Sequence, residues 1–406
     1  MDILKKTARQ HGLVCLLHEK PFDGINGSGK HNNWSLTTDD GINLFKPGKK
    51  PENNSLFQLV LACTMAAVDT HAVLLRLAAS NTGNDHRLGA NEAPPAIISM
   101  YLGDQVGDVV DQIIKNGEAT SSLSSGEIDF GIKKLPKLEK DPTDRNRTSP
   151  FAFTGNRFEF RMVASSNTIG DVNTVLNAMM AEQFEKAVEV LSKADDFETA
   201  VTEYTAKLMR EHQRIIFNGN GYSEEWPVEA EKRGLPNCKS IVDAIPALLD
   251  DTTIEMYGKF GILSKAELAA RKEILFEQYA GVRNIEALTM VDMANKLIIP
   301  ATVKYTKELA DTVLAVKEAG VDATIQAEML ADATAKLAEM KKAVKNLSEV
   351  TEKAANAGDA KAVAVAYKDE VMEAMAELRK PADELEVVMP KEEWPMPTYG
   401  DLVFEL

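Results

Sequence analysis

From Ser264 to Lys380 apolar residues recur at helical spacing almost without a break. Pro300, Gly320 and Gly358 are the helix boundaries or kinks that this stretch offers. Ala323 to Ala354 is rich in Ala, Glu, Lys, Leu and Met, but its heptads are not clean. An antiparallel helical hairpin or bundle therefore fits it better than a coiled coil. Several prolines in Pro381 to Leu406 suggest an extended terminal arm. Upstream, Val172 to Leu191 and Glu198 to Ile216 also read as helices.

Before residue 166 the chain has another character, rich in glycine and in turn signals. The expected order is a short helix (Ile3 to Arg9), a strand (Leu13 to His18), a glycine-rich loop (Gly24 to Gly29) and a strand (Trp34 to Thr37). A helix over Asn54 to Ser80 follows, then a buried segment from Ala96 to Leu102. Phe151 to Val163 alternates aromatic and polar residues, the pattern of a strand pair or hairpin.

Composition narrows the function. The 406 residues carry a net charge of −16, which opposes non-specific binding to nucleic acid or anionic membranes. Three scattered cysteines, Cys15, Cys63 and Cys238, form neither a disulfide framework nor a zinc ribbon. MDILKKTARQHG has no signal-peptide core. Asp69, His71 and Arg76 interrupt the longest apolar stretch, Leu56 to Ala79, so it reads as a buried helix of a cytoplasmic protein and not as a membrane span.

Gly24-Ile-Asn-Gly-Ser-Gly-Lys30 nearly matches a phosphate-binding loop, but His31 stands where Ser or Thr would meet Mg²⁺. The residues after it are poor helix formers, so no helix N-terminus is there to cradle phosphate. Two readings stay open. One is an ordinary turn with a surface histidine. In the other, an extended ribbon turns His31, Asn33 and Ser35 to one cleft as a metal ligand and two polar contacts. Downstream, alternation puts Arg157, Glu159 and Arg161 on one strand face and Phe158 and Phe160 on the other. That face suits either a site for anions and a metal or a solvated salt-bridged surface. His11, His18, His71, His86 and His212 are scattered and read as structural or exposed.

Taken together, Asn26-Gly-Ser-Gly-Lys-His31 with Asn33 and Ser35, Arg87 through Glu92-Ala-Pro, Arg145-Asn-Arg147, and Phe158-Glu159-Phe-Arg161 resemble the C-terminal half of a type III glutamine synthetase. The pieces occur in that family's order between residue 13 and about residue 166. The resemblance implies an α+β fold, with a curved antiparallel sheet carrying the site, helices around it and a long helical extension. Residues 1–260 would be the C-terminal part of the catalytic domain and 261–406 the extension with its terminal arm.

The activity implied is ATP-dependent ligation of ammonia to L-glutamate through γ-glutamyl phosphate. By the same resemblance His31 and Glu159 are metal ligands, Asn26 and Gly27 contact glutamate, and Arg87 and Arg161 hold its carboxylates or the transferred phosphate. Glu92 is the flap glutamate that helps ammonium lose a proton. Asn33, Ser35, Arg147 and Arg157 face ATP. The cofactors implied are ATP and Mg²⁺, with Mn²⁺ a substitute because imidazole is soft for Mg²⁺. The partners implied are glutamate, ammonium and further copies in hexameric rings, doubled in type III enzymes.

The sequence departs from the family in places. No charge follows Arg147 in Ser149-Pro-Phe-Ala-Phe153, and Asn33 stands where many relatives have histidine. Only 25 residues precede Asn26, whereas the family places a β-grasp domain and several metal-binding carboxylates there. A fragment inactive by itself is therefore expected. A non-catalytic assembly or regulatory subunit with the same C-terminal fold is the alternative.

Overall fold

The computed structural model describes residues 1–123, 127–128, 138–139 and 146–404. Its helices are α1 (Asp2–Gln10), α2 (Ser55–Thr70), α3 (Ala72–Ala78), α4 (Gly103–Asn116), α5 (Gly170–Leu191), α6 (Phe197–Glu211), α7 (Glu225–Lys232) and α8 (Ile241–Ala244). They continue with α9 (Asp251–Lys259), α10 (Lys265–Met293), α11 (Ile299–Glu318), α12 (Thr324–Ala355), α13 (Ala360–Ala366), α14 (Met372–Val388) and α15 (Tyr399–Val403). The strands are β1 (Gly29–Trp34), β2 (Met100–Tyr101), β3 (Glu127–Ile128), β4 (Leu138–Glu139), β5 (Phe151–Phe153) and β6 (Phe158–Ala164). The chain divides into two compact units, His18–Lys272, and Met1–Leu17 with Glu273–Leu406.

In the first unit the sheet order is β1-β6-β5-β2, with β3 and β4 forming a separate pair. The expected antiparallel arrangement holds for β1, β6 and β5, and β2 joins β5 in parallel. The fold is α+β, as the resemblance implied. The inner face of the sheet is aromatic because alternation sends Phe158 and Phe160 to one side. Phe151 stacks on Phe158 with ring centroids 4.5 Å apart, and Phe45 meets Phe158 edge-on at 5.2 Å. Such pairs add about 0.5–1.5 kcal/mol each beyond burial. Trp34 is anchored by its Nε1, which donates to Asn177 of α5 at 3.0 Å.

Burial of every residue from Val60 to Asp69 explains why α2 is apolar nearly all round. The Asn54 side chain caps it, accepting from the Phe57 amide at 3.1 Å. The single helix expected over 54–80 is two, α2 and α3, bent by 76° at His71. There the buried His71 ring meets Glu182 of α5 at 3.0 Å, and the neighbouring Asp69 holds His212 and Arg214, each at 2.8 Å. Two polar anchors beside one another set the corner. Among the described residues no single helix is long and apolar enough to cross a membrane, though α2 and α3 together pass by length and composition.

In the second unit the expected bundle forms. The polar links Lys336–Glu384 (2.9 Å), Asn346–Glu377 (3.0 Å) and Lys353–Glu370 (2.7 Å) run in opposite order along α12 and the α13–α14 arm, so the two are antiparallel. Gly320 and Gly358, with φ of 75° and 135°, end helices as expected. Pro300 stands at an element boundary, as expected, but the chain stays helical through it. A π-helical stretch over Ala294–Ile298 leads directly into α11, with Pro300 in the first turn, where its missing N–H costs little. Of the arm expected over 381–406, the residues described, up to 404, depart from an extended course. Pro381 lies inside α14, and α15 follows a Thr398–Asp401 capping box. Leu13 to His18 is not a strand. Among the described residues its one ladder contact is a bridge from Leu13 to Phe404.

Candidate active site

The strand expected at Trp34–Thr37 instead begins at Gly29, so the end of the glycine loop is itself part of the sheet. Gly29 and Lys30 pair with Ala164 and Val163, and Asn32, Asn33 and Trp34 with Phe160, Glu159 and Phe158. The register slips between Lys30 and Asn32, so Arg161 and Met162 together oppose His31. A bulge of this kind re-aims side chains. Here it brings three groups together. His31 Nδ1 lies 2.8 Å from Glu159 Oε1, while Arg161 Nε and Nη2 donate to Glu159 Oε2 at 3.1 and 2.6 Å.

These groups differ sharply in exposure. The His31 side chain is 55% exposed, but Glu159 and Arg161 are 12% and 5%. Burial alone would raise the Glu159 carboxyl, but hydrogen bonds and charge from Arg161 and His31 outweigh it and hold the group below its ordinary 4.5. The carboxylate is thus kept ionised beside an accessible imidazole. Among the described residues no group of three or more His, Cys, Asp or Glu converges. His31 and Glu159 are therefore a two-donor set.

The second cluster lies at the glycine loop. Asn26 Nδ2 donates to Glu92 Oε2 at 2.7 Å, which joins two residues named for different roles. Glu92 has φ of 51°, the left-handed region that costs an ordinary residue about 1–2 kcal/mol. Arg87 is only 5% exposed. It donates to Asn84 Oδ1 and to the Arg161 carbonyl, each at 3.2 Å, which links this cluster to β6. Burial lowers the Arg87 pKa from its ordinary value, against the opposing effect of the Glu19 carboxylate.

Two glycines of the loop stand where a side chain would collide with its neighbours. A Cβ on Gly27 would stand 2.7 Å from the Glu19 carbonyl, and one on Gly29 would stand 2.2 Å from the Arg87 guanidinium.

The remaining expected residues are spread along the same region. Asn33 is exposed, directly opposite Glu159. The Ser35 hydroxyl donates to the Asn156 carbonyl at 3.1 Å and accepts from Asn43 at 3.0 Å. Arg147 and Arg157 are exposed. Arg145, part of the motif, lies outside the described residues.

Three residues that matter were not singled out in the sequence. Glu19 is 5% exposed and ties the loop to the end of β6, accepting from the Ser165 amide at 2.9 Å and the Ser166 hydroxyl at 3.2 Å. Asn84 is fully buried and bridges Arg87 to the Met162 carbonyl. Tyr222 donates its phenol proton to the Arg147 carbonyl at 3.2 Å. Only Tyr222 had a visible signal, the Asn-Gly-Asn-Gly turn pattern just before it.

The family described as glutamine synthetase, catalytic domain, matches residues 2–99, and the glutamine synthetase C-terminal domain matches residues 200–317. The chain is 41% identical to a glutamine synthetase of Butyrivibrio fibrisolvens over 417 aligned positions, covering 100% of this chain and 58% of the relative. It is 40% identical to a type-3 glutamine synthetase of Dictyostelium discoideum, covering 100% and 56%. It is 37% identical to a glutamine synthetase of Bacteroides fragilis, covering 100% and 57%. The chain thus spans somewhat more than half the length of these relatives. With both domains matched and relatives aligned along its whole length, the chain belongs to the glutamine synthetase family.

Proposed function

We propose that this chain supplies part of the active site of an ATP-dependent ligase that joins ammonia to L-glutamate. The observation that carries the proposal is the group formed by His31, Glu159 and Arg161, in which an ionised carboxylate stands between an accessible imidazole and a buried guanidinium. The reaction begins when a γ-carboxylate oxygen of glutamate attacks the terminal phosphorus of ATP and ADP leaves. Ammonia then attacks the acyl carbon of γ-glutamyl phosphate, phosphate leaves and a proton is lost. Both steps bring anions together, so cationic groups must offset the repulsion.

The donor set suits a divalent cation. One imidazole nitrogen and one carboxylate oxygen fit Mn²⁺ and are acceptable to Mg²⁺ as part of a larger ligand set. Bound by His31 and Glu159, such a cation supplies positive charge against the phosphates. Arg161 keeps Glu159 ionised and oriented. Arg87 and Arg161 offer positive charge to the glutamate carboxylates or the transferred phosphate, and Asn26 and Gly27 line the glutamate position. Glu92 accepts the proton of the attacking amine, and the Asn26 contact holds it at the loop. Asn33, Ser35, Arg147 and Arg157 face the nucleotide. Residues 1–260 act as the catalytic part and 261–406 as an extension, in a cytoplasmic protein that assembles with further copies.

The test is made on the protein as its source produces it. Glutamine and phosphate should form together, dependent on ATP, ammonium and Mg²⁺ or Mn²⁺. His31→Ala should abolish the metal-dependent turnover. Turnover unchanged by that substitution would overturn the assignment and favour an assembly or regulatory role.

A further inference from the structure

We infer that Tyr222 is a positioning residue for Arg147, and that the loop carrying it sets where that arginine begins. The inference rests on the proposed role of Arg147 toward ATP. The loop is built to hold a shape. Its base is fixed to the sheet edge, where the Phe217 amide donates to the Met100 carbonyl at 2.9 Å and the Leu102 amide donates to Asn218 Oδ1 at 3.1 Å. Phe217 stacks on Trp226 with centroids 3.7 Å apart, and the Arg233 guanidinium lies 5.8 and 5.6 Å from the two rings. At Gly219 a Cβ would meet the Phe217 ring at 2.6 Å, and at Gly221 one would meet the Thr148 carbonyl at 2.7 Å. Neither position has room for a side chain.

This loop grips three consecutive residues. Asn146 Nδ2 donates to the Gly219 carbonyl at 2.8 Å, Tyr222 donates to the Arg147 carbonyl at 3.2 Å, and the Gly221 amide donates to Thr148 Oγ1 at 2.8 Å. Arg161 also donates to the Asn146 carbonyl, so the gripped segment is joined to the Glu159 group. The Arg147 backbone is thereby held while its side chain stays exposed. A long side chain on a fixed backbone loses less freedom when it meets an anion, which lowers the cost of binding. Tyr222 itself is 40% exposed and lies within electrostatic reach of Arg161, Glu92 and Arg87.

The experiment compares Tyr222→Phe, Arg147→Ala and the double variant in the protein as its source produces it. The readouts are the KM values for ATP and glutamate and the dissociation constant of Mg·ATP. Tyr222→Phe should weaken Mg·ATP binding and raise the KM for ATP by about three- to tenfold, the worth of one hydrogen bond. The KM for glutamate should hold. Added to Arg147→Ala, it should cost nothing more, because the two act as one unit. Amides 147–149 should exchange faster in unliganded Tyr222→Phe. Additive effects, an equal rise in the KM for glutamate, or unchanged ATP binding and exchange would overturn the inference and leave the ligase reading standing. A wild-type protein that neither binds Mg·ATP nor forms glutamine would overturn both.

Discussion

The Asn26 amide donates to the Glu92 carboxylate at 2.7 Å across 66 residues of sequence, and Glu92 makes that contact from a backbone with φ of 51°. A residue held in this region stores strain that its surroundings must offset.

Glu92→Gly separates strain from chemistry. Glycine accepts positive φ freely, so relief of about 1 kcal/mol should offset the lost hydrogen bond. Equilibrium denaturation should show unchanged or slightly higher stability, while glutamine formation falls sharply. A loss of more than about 1 kcal/mol would show that the Asn26 contact outweighs the strain.

Two glycines should respond in opposite directions. Gly27→Ala places a methyl 2.7 Å from a backbone carbonyl, which cannot swing away as a side-chain tip can. It should destabilise the protein by about 1–3 kcal/mol. Gly258→Ala, inside α9 with nothing within 4 Å of the new methyl, should stabilise it by about 0.5–1 kcal/mol. Urea midpoints measured side by side decide this, and equal shifts would contradict the packing argument.

The Glu159 carboxyl, depressed in the folded state from its ordinary 4.5, binds its proton more readily when unfolded. Its stabilising contribution is therefore complete above the ordinary value and is lost as pH falls through the depressed one. Glu159→Gln should flatten the acid limb of a stability–pH curve and cost about 1.5–3 kcal/mol near pH 7, since Arg161 loses an ionised acceptor. An acid limb of unchanged slope would count against this account.

Thiol reactivity should follow burial. Burial pushes the Cys63 thiol up to about 12 and raises Cys238 as well, whereas Cys15 is half-buried. A thiolate-specific reagent at pH 8 should label Cys15 first and reach Cys63 only on unfolding. Peptide mapping after brief labelling reads the order directly.

Part of the candidate site was legible because strand faces are set locally. His31, Asn33, Glu159 and Arg161 each lie on strands whose alternation sets their face, and alternation is written in neighbouring residues. The helical run from Ser264 announced the bundle for the same reason. What the sequence could not show depends on partners far along the chain. The π-helical turn that lets Pro300 continue a helix, the 76° bend at His71 and the β-bulge opposite His31 arise from packing that no local pattern encodes. Glu19 and Asn84 carry no spacing that marks them, and the turn pattern before Tyr222 does not name its partner. Their roles exist only because folding brings Ser165, Arg87 and the Arg147 carbonyl to within hydrogen-bond distance. By itself the sequence determined which residues could ionise, turn or bind. The tertiary structure decided which of them meet, because a hydrogen bond a few ångströms long does not depend on how many residues separate its ends.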